Sequence, residues 1–186
     1  MKRCLDVILS FAAAVVLAPP ILLIALLVKL TSRGPALHWS RRVGADNKTF
    51  LMPKFRTMRL DTPQVATHLL KEPHIYLTPI GLFLRRSSLD EVPQLYSILK
   101  GDLSLVGPRP ALYNQTDLIE LRTQNGVHRL VPGLTGWAQI NGRDDLPIPV
   151  KVRYDQHYLE HRSILFDIKI LFLTLIKVVR AEGVSH

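Results

Sequence analysis

From Val7 to Val28 the chain carries no charged residue. Those 22 positions, at about 1.5 Å each, make roughly 33 Å of straight helix, enough to cross a hydrocarbon core of about 30 Å. This segment limits the fold more than any other, because a backbone placed in lipid must satisfy its polar groups internally, and so as helix. The core helix of a soluble protein is the blander reading, and a run this long and uncharged argues against it. A cleaved signal peptide is disfavoured as well: cutting at Ala12–Ala14 would leave a second apolar stretch, Val15 to Val28, on the mature chain.

Two details complicate a simple crossing. Pro19-Pro20 sits near the middle of the run, where tandem proline removes two backbone donors and kinks or breaks a helix. Both flanks are basic, with Lys2 and Arg3 before the run and Lys29, Arg33, Arg41 and Arg42 after it. Cationic flanks favour the cytoplasmic side. A crossing helix and a re-entrant helix, broken at the prolines and returning to the side it left, both satisfy these residues. Polybasic attraction to a membrane is worth about 1 kcal/mol per residue and is screened by salt, so apolar insertion is the main anchor in either case.

Lys and Arg number 24 against 15 Asp and Glu, a formal charge of +9 with pI near 10.0. Such a chain wants an anionic partner, whether nucleic acid, membrane surface or phosphorylated substrate. A basic nucleic-acid-binding module would explain the charge but not the apolar run. At 186 residues the chain has the size of one domain, and 47% hydrophobic with 21% charged residues is not a disordered composition. A single cysteine, Cys4, excludes an internal disulfide framework and a cysteine-based zinc site.

Beyond the apolar run, Arg33-Gly34-Pro35 reads as a turn leaving it, and Trp39 suits a membrane–water interface. Val43 to Leu51 predicts a short hairpin around Asp46-Asn47, and Lys54-Phe55-Arg56-Thr57-Met58 continues it in extended form. Asp61 to Pro79, with mixed polarity and three prolines, reads as a mobile loop with a short helix. Gly81 to Arg86 is an amphipathic piece. A helix then starts with either Ser88 or Asp90 as its cap and runs to Gly101. Both choices put Asp90 at the cap or in the first turn, where anions are favoured.

As a bare dipeptide, Asp90-Glu91 is what many helix starts carry. Its surroundings set it apart. Arg85 and Arg86 precede it, and Leu105-Val106-Gly107-Pro108-Arg109-Pro110 follows, a rigid turn that fixes one arginine. A planar guanidinium suits bidentate phosphate contact. A second glycine-rich segment, Pro132 to Arg143, brings backbone donors open to a ligand, a stacking-capable Trp137 and a further cation.

Taken together, these segments resemble the small monotopic bacterial phosphoglycosyl transferases, the bacterial sugar transferase family. The carrying stretches are Lys54–Met58, Arg85–Leu95, Leu99–Pro110 and Pro132–Arg143. They stand in the family's order and cover the chain almost end to end. The resemblance implies a mainly helical α+β fold, with a re-entrant helix–break–helix at 1–32, a cytoplasmic catalytic domain at 33–186, interfacial amphipathic helices and a small β-hairpin. It implies an enzyme on the cytoplasmic face of the bacterial inner membrane that moves a phospho-sugar from a nucleotide diphosphate sugar, usually a UDP-sugar, to undecaprenyl phosphate. Mg²⁺ is the implied cofactor. The family's acidic dyad falls on Asp90, the nucleophile of a ping-pong mechanism, and Glu91. The family breaks its helix at a Ser-Pro pair; here Pro20 matches the proline, and Pro19 stands where the serine would be. The sugar, the pathway and a homo-oligomer are left open.

The chemistry is electrostatically hard. A carboxylate must approach a diphosphate, and each unit-charge pair 4 Å apart costs roughly 4 kcal/mol at an effective dielectric near 20. Arg85 and Arg109 are the expected phosphate clamps, Lys54 and Arg143 further candidates, and Asp90 with Glu91 the expected metal ligands.

Two features near the C-terminus need weighing. Ile164 to Arg180 is apolar but interrupted, with Asp167, Thr174 and Lys177 near one helical face; it fits both an interfacial helix and one packed into the core. His157-Tyr158-Leu159-Glu160-His161 matches the H-x-x-E-H pattern of a zinc metalloprotease. That reading lacks an evident third ligand and leaves the four carrying segments unexplained.

Overall fold

The computed structural model describes residues 1–63, 73–142 and 146–179. Helix α1 (Lys2–Thr31) runs through the whole apolar segment. Pro19 and Pro20 lie inside this helix, so the helical assignment does not end at the tandem. Proline's fixed φ is already helical. The tandem removes the two N–H groups that would bond the Val15 and Val16 carbonyls, but it does not end the element. Most of α1 is bare, with Ile8, Phe11, Val16, Leu22, Leu26 and Leu30 exposed. It buries only Asp6 and Ser10 near its start and Ile24 and Val28 near its end.

Both ends of α1 are tied to the rest of the chain. Lys2 Nζ donates to Asp167 Oδ2 at 2.6 Å and to the Val106 carbonyl at 3.0 Å. Arg3 donates to the Ile98 and Leu99 carbonyls. Asp6 accepts from the Ser104 hydroxyl at 2.8 Å and the Leu105 N–H at 3.1 Å. At the other end, Ile24 and Val28 pack with Phe55 and Leu84, and buried Arg56 donates from Nη2 to Ser32, at 2.8 Å to the carbonyl and 2.7 Å to the hydroxyl. A cation is favoured at that carbonyl-rich helix end.

Gly34 takes φ +115° in the bend that leaves α1. Strands β1 (Leu37–Val43) and β2 (Thr49–Phe55) then form the expected antiparallel hairpin, closed by a 3₁₀ turn at Ala45–Asn47. Asp46 and Asn47 adopt positive φ, which short polar residues tolerate. Leu37 pairs with Phe55 and His38 with Lys54, so the two faces of the hairpin serve different purposes. Phe55 enters the α1 cluster, while Lys54 reaches Glu91 in the segment packed on β2. Of the stretch expected to be a loop, residues 64–72 lie outside the described residues; Pro73–Tyr76 is a 3₁₀ turn.

Helix α2 (Gly81–Arg86) leads into a 3₁₀ segment, Leu89–Gln94, and then α3 (Leu95–Lys100), which stops at Gly101 with φ +107°. Here the expected cap is corrected. Neither Ser88 nor Asp90 makes a side-chain cap bond, and Ser88 is itself left-handed with φ 56°. Pro93, which has no N–H to donate, lies inside this 3₁₀ segment.

Strands β3 (Ser104–Val106) and β4 (Gly133–Thr135) form a short parallel pair. Around it lie α4 (Thr116–Gln124), α5 (Trp137–Ile140), α6 (Ile148–His161) and α7 (Ile164–Val179). Val106, Val127, Leu130, Ile140, Tyr158 and Ile170 form the core there. The polar stripe of α7 faces inward: Asp167 accepts from the Tyr158 hydroxyl at 2.7 Å, and the Thr174 and Thr135 hydroxyls meet at 2.7 Å. Its outer face is apolar, with Leu165, Ile168, Phe172 and Leu175 exposed. Core packing thus holds for one face of α7 and leaves the other bare.

The β3–β4 pair continues into a backbone interlock. The Gly107 N–H donates to the Thr135 carbonyl, and the Gly133 N–H to the Pro108 carbonyl, each at 2.9 Å. A Cβ on Gly136 would lie 2.0 Å from the Gly107 carbonyl oxygen, which no rotamer relieves. Gly136→Ala is expected to destabilise the fold by about 1–3 kcal/mol or more. Thermal melting of the detergent-solubilised protein checks this, and an unchanged midpoint would contradict the interlock.

Candidate active site

The 3₁₀ turn presents Asp90 inward, 8% exposed, with Glu91 beside it. The end of β2 delivers Lys54, whose Nζ donates to Glu91 Oε1 at 2.7 Å. The Gly-Pro turn delivers Arg109, whose Nη2 donates to the same oxygen at 3.0 Å. Arg85, in the last turn of α2, donates from Nε to Thr57 Oγ1 at 3.0 Å and lies close enough to Asp90 for their charges to interact. Three expected cations, from three separate stretches of chain, therefore converge on the acidic pair. The fourth, Arg143, lies outside the described residues.

The two carboxyls are not equivalent. Burial pushes the Asp90 carboxyl above its ordinary value, and the Glu91 charge adds to this; Lys54, Arg85 and Arg109 pull the other way without cancelling it. Burial acts on Glu91 too, but there the charges and hydrogen bonds of Arg109 and Lys54 win and hold it well below the usual carboxylate range. Burial also lowers Arg85, against the opposing charge of Asp90. Glu91 is thus a fixed anion that organises two cations. Asp90 is a carboxylate that its surroundings leave unusually basic, which suits a nucleophile.

No group of three or more His, Cys, Asp or Glu side chains that could hold a metal occurs among the described residues. Asp90 and Glu91 therefore do not form an all-protein cage. They do fit Mg²⁺ in its commoner mode, with one or two carboxylates completed by water and ligand phosphates. The H-x-x-E-H residues find other partners: the His157 and His161 rings stack at 4.1 Å, and Glu160 accepts from Gln156 at 3.1 Å. With no third ligand among the described residues, the zinc-protease reading has no centre.

Of the glycine backbone donors, those of Gly107 and Gly133 are used in the β3–β4 interlock. Trp137 is half-buried, 5.0 Å from the Phe166 ring and 5.9 Å from His157, with Lys169 over its face. The site also uses a group that no sequence signal marked: Arg122 donates from Nη1 to the Arg109 carbonyl at 2.8 Å. Thr57, within the Lys54–Met58 stretch, holds Arg85.

A buried acidic pair ringed by cations, beside a bare apolar helix of 30 residues, defines an anion-handling site on a chain consistent with membrane association. The chain belongs to the bacterial sugar transferase family, whose pattern matches residues 1–181. It is 38% identical over 186 residues to the UDP-glucose:undecaprenyl-phosphate glucose-1-phosphate transferase of Escherichia coli K12, covering 95% of this chain and 40% of that protein. It is 41% identical over 187 residues to the undecaprenyl-phosphate glucose phosphotransferase of Komagataeibacter xylinus, covering 94% of this chain and 35% of that one. The exopolysaccharide production protein ExoY of Sinorhizobium fredii is 36% identical over 197 residues, covering 98% of this chain and 87% of ExoY. The chain thus spans about two-fifths of the first two relatives and most of the third.

The carboxyl asymmetry predicts opposite effects of two isosteric changes. Glu91→Gln removes a group whose folded value is depressed, so it should lower stability near neutral pH. That deficit should shrink as pH falls below the ordinary carboxylate value of about 4.3. Asp90→Asn relieves a buried carboxylate and should leave the melting temperature at pH 7 unchanged or higher. A destabilised Asp90→Asn protein, or a Glu91→Gln deficit that does not diminish between pH 5 and pH 3, would contradict the assignment.

Proposed function

We propose that this chain transfers a sugar 1-phosphate from a UDP-sugar to undecaprenyl phosphate, releasing UMP, as the first membrane step of exopolysaccharide or related glycoconjugate assembly. The observation that carries this reading is the acidic pair: Asp90 is buried beside Glu91, whose Oε1 accepts from Lys54 and Arg109, with Arg85 held nearby by Thr57. The names of the relatives, which specify undecaprenyl phosphate and in part UDP-glucose, support the substrates.

In the first half-reaction an Asp90 carboxylate oxygen attacks the β-phosphorus of the donor. The bond from that phosphorus to the bridging oxygen breaks, UMP leaves, and an acyl phosphate carrying the sugar remains. In the second, a phosphate oxygen of the lipid attacks the same phosphorus. The aspartyl bond breaks, giving the polyprenyl diphospho-sugar and free Asp90. Arg109 and Arg85 offset the negative charge that gathers on the phosphoryl oxygens, and Lys54, held by Glu91, adds a third cation. Arg143 remains a candidate for the nucleotide. Asp90 and Glu91 would also hold Mg²⁺ together with donor phosphate oxygens; its chemistry there is charge neutralisation.

The same reading takes 1–32 as a re-entrant membrane element and 33–186 as a catalytic domain on the cytoplasmic face of the inner membrane. Its support is that both ends of α1 are bonded to one body of protein, by Lys2, Arg3 and Asp6 at the start and by Ser32 at the end. A helix crossing to the far side would have to give up one set. The bare faces of α1 and α7 then meet lipid, and Asp90 sits where a soluble donor and a headgroup-level phosphate both reach it.

Two experiments test this reading. Protein incubated with UDP-sugar labelled in the sugar, without lipid acceptor, should form a labelled adduct that Asp90→Asn cannot form; an adduct on the Asn variant would rule the nucleophile out. Single cysteines placed near residues 3 and 32 of a Cys4→Ser background should react with an impermeant reagent from the same side of the membrane. Labelling from opposite sides would mean a crossing helix.

A further inference from the structure

Arg109 is held through its backbone by a side chain as well as through its own guanidinium. Its carbonyl accepts from Arg122 Nη1 at 2.8 Å. The remaining donors of the Arg122 fork go to Asp155 Oδ2, from Nε at 3.0 Å and from Nη2 at 2.7 Å. Arg122 comes from α4 and Asp155 from α6, and they are 7% and 1% exposed. A buried ion pair is weak support for stability by itself, because desolvating two charges offsets much of their attraction. Burial here pushes the Asp155 carboxyl up in spite of the Arg122 and Lys151 charges. The pair does, however, fix the plane of a guanidinium whose third arm ends on the turn that carries Arg109. That turn is not packed solid behind, since Pro108 and Arg122 line a cavity of about 30 Å³ together with Ala111, His128 and Leu130. The backbone interlock holds the Gly107–Pro108 end of the turn, and this polar strut holds it at Arg109.

We propose that Arg122 and Asp155 form a positioning brace that sets the Arg109 guanidinium for the diphosphate of the nucleotide donor. Neither residue touches the donor; both act through the Gly107–Pro110 turn. This rests on the reading of Arg109 as a phosphate clamp, so its test measures diphosphate binding separately from turnover.

The full-length protein is examined in detergent, with UDP binding read by calorimetry, UMP release from UDP-sugar by steady-state kinetics and folding by thermal melting. Arg122→Ala would strand a buried carboxylate and is avoided. Arg122→Lys keeps a charge against Asp155 but lacks a fork to span both partners. The joint change Arg122→Met with Asp155→Leu replaces the pair by apolar groups of similar size, a swap that is often neutral for stability. Both proteins should melt close to wild type and bind UDP about tenfold more weakly, with KM for the donor raised more than kcat is lowered. Combining either change with Arg109→Ala should weaken UDP no further than Arg109→Ala alone, because the brace acts only through that residue.

Folded brace variants that bind UDP like wild type would overturn the proposal. So would losses that multiply in the Arg109→Ala background, or a wild type with no affinity for UDP. A wild type that shows this binding pattern but releases no UMP would retain the brace and remove the transferase reading. Normal turnover with unaffected brace variants would do the reverse.

Discussion

One oxygen atom gathers the candidate site. Glu91 Oε1 accepts from Lys54 and from Arg109, which arrive from a hairpin strand and from a glycine–proline turn. Without that anion two cations would face each other. With it both lie close enough to Asp90 for their charges to act on it. The arrangement lets a carboxylate meet phosphate, because the repulsion that chemistry entails is opposed by cations already in place before a ligand arrives. It also explains why adjacent carboxyls behave oppositely: direct hydrogen bonds lock Glu91 as an anion, whereas burial dominates at Asp90.

Strand β3 is the mechanical counterpart of that oxygen. In three residues it takes Asp6 of α1 on Ser104 and Leu105, pairs with β4, and offers the Val106 carbonyl to Lys2 and to Tyr158. The chain then turns directly into the Gly107–Pro110 segment. The start of the apolar helix, the sheet and the arginine that reaches Glu91 are therefore one connected piece. Backbone contact at Gly107, Gly133 and Gly136 leaves no room for side chains between them.

Helices α1 and α7 bury polar side chains alongside Ile24, Val28 and Ile170 and leave much apolar surface exposed. In α1 the buried residues near the start are Asp6 and Ser10; in α7, Asp167 and Thr174 point inward while Leu165, Phe172 and Leu175 point out. Polar side chains hold these helices to the body by specific bonds, and the apolar surface is left free. On the proposed topology that surface meets lipid tails.

Much of this was legible in the residues. The uncharged run from Val7 to Val28, the hairpin at Asp46-Asn47, the stop at Gly101 and the cation-flanked Asp90-Glu91 all rest on local signals: charge, turn chemistry and spacing. Such signals act within a few residues, so a sequence displays them. What it did not display depends on distance in the chain. The Arg122–Asp155 pair joins residues 33 apart, and Lys2 meets Asp167 across 165. The Gly107 and Gly133 N–H groups bond across the β3–β4 pair, to partners that local pattern does not name. Even Pro19-Pro20, the strongest local breaker in the chain, lies inside a continuous helix, because proline's φ permits a helix it cannot hydrogen-bond. Residue types and local spacing were enough to name the side chains able to do the chemistry and to require one apolar helix. Which cations reach Asp90, and what holds Arg109 in place, came from the fold, because those contacts arise from packing between elements that no spacing along the chain encodes.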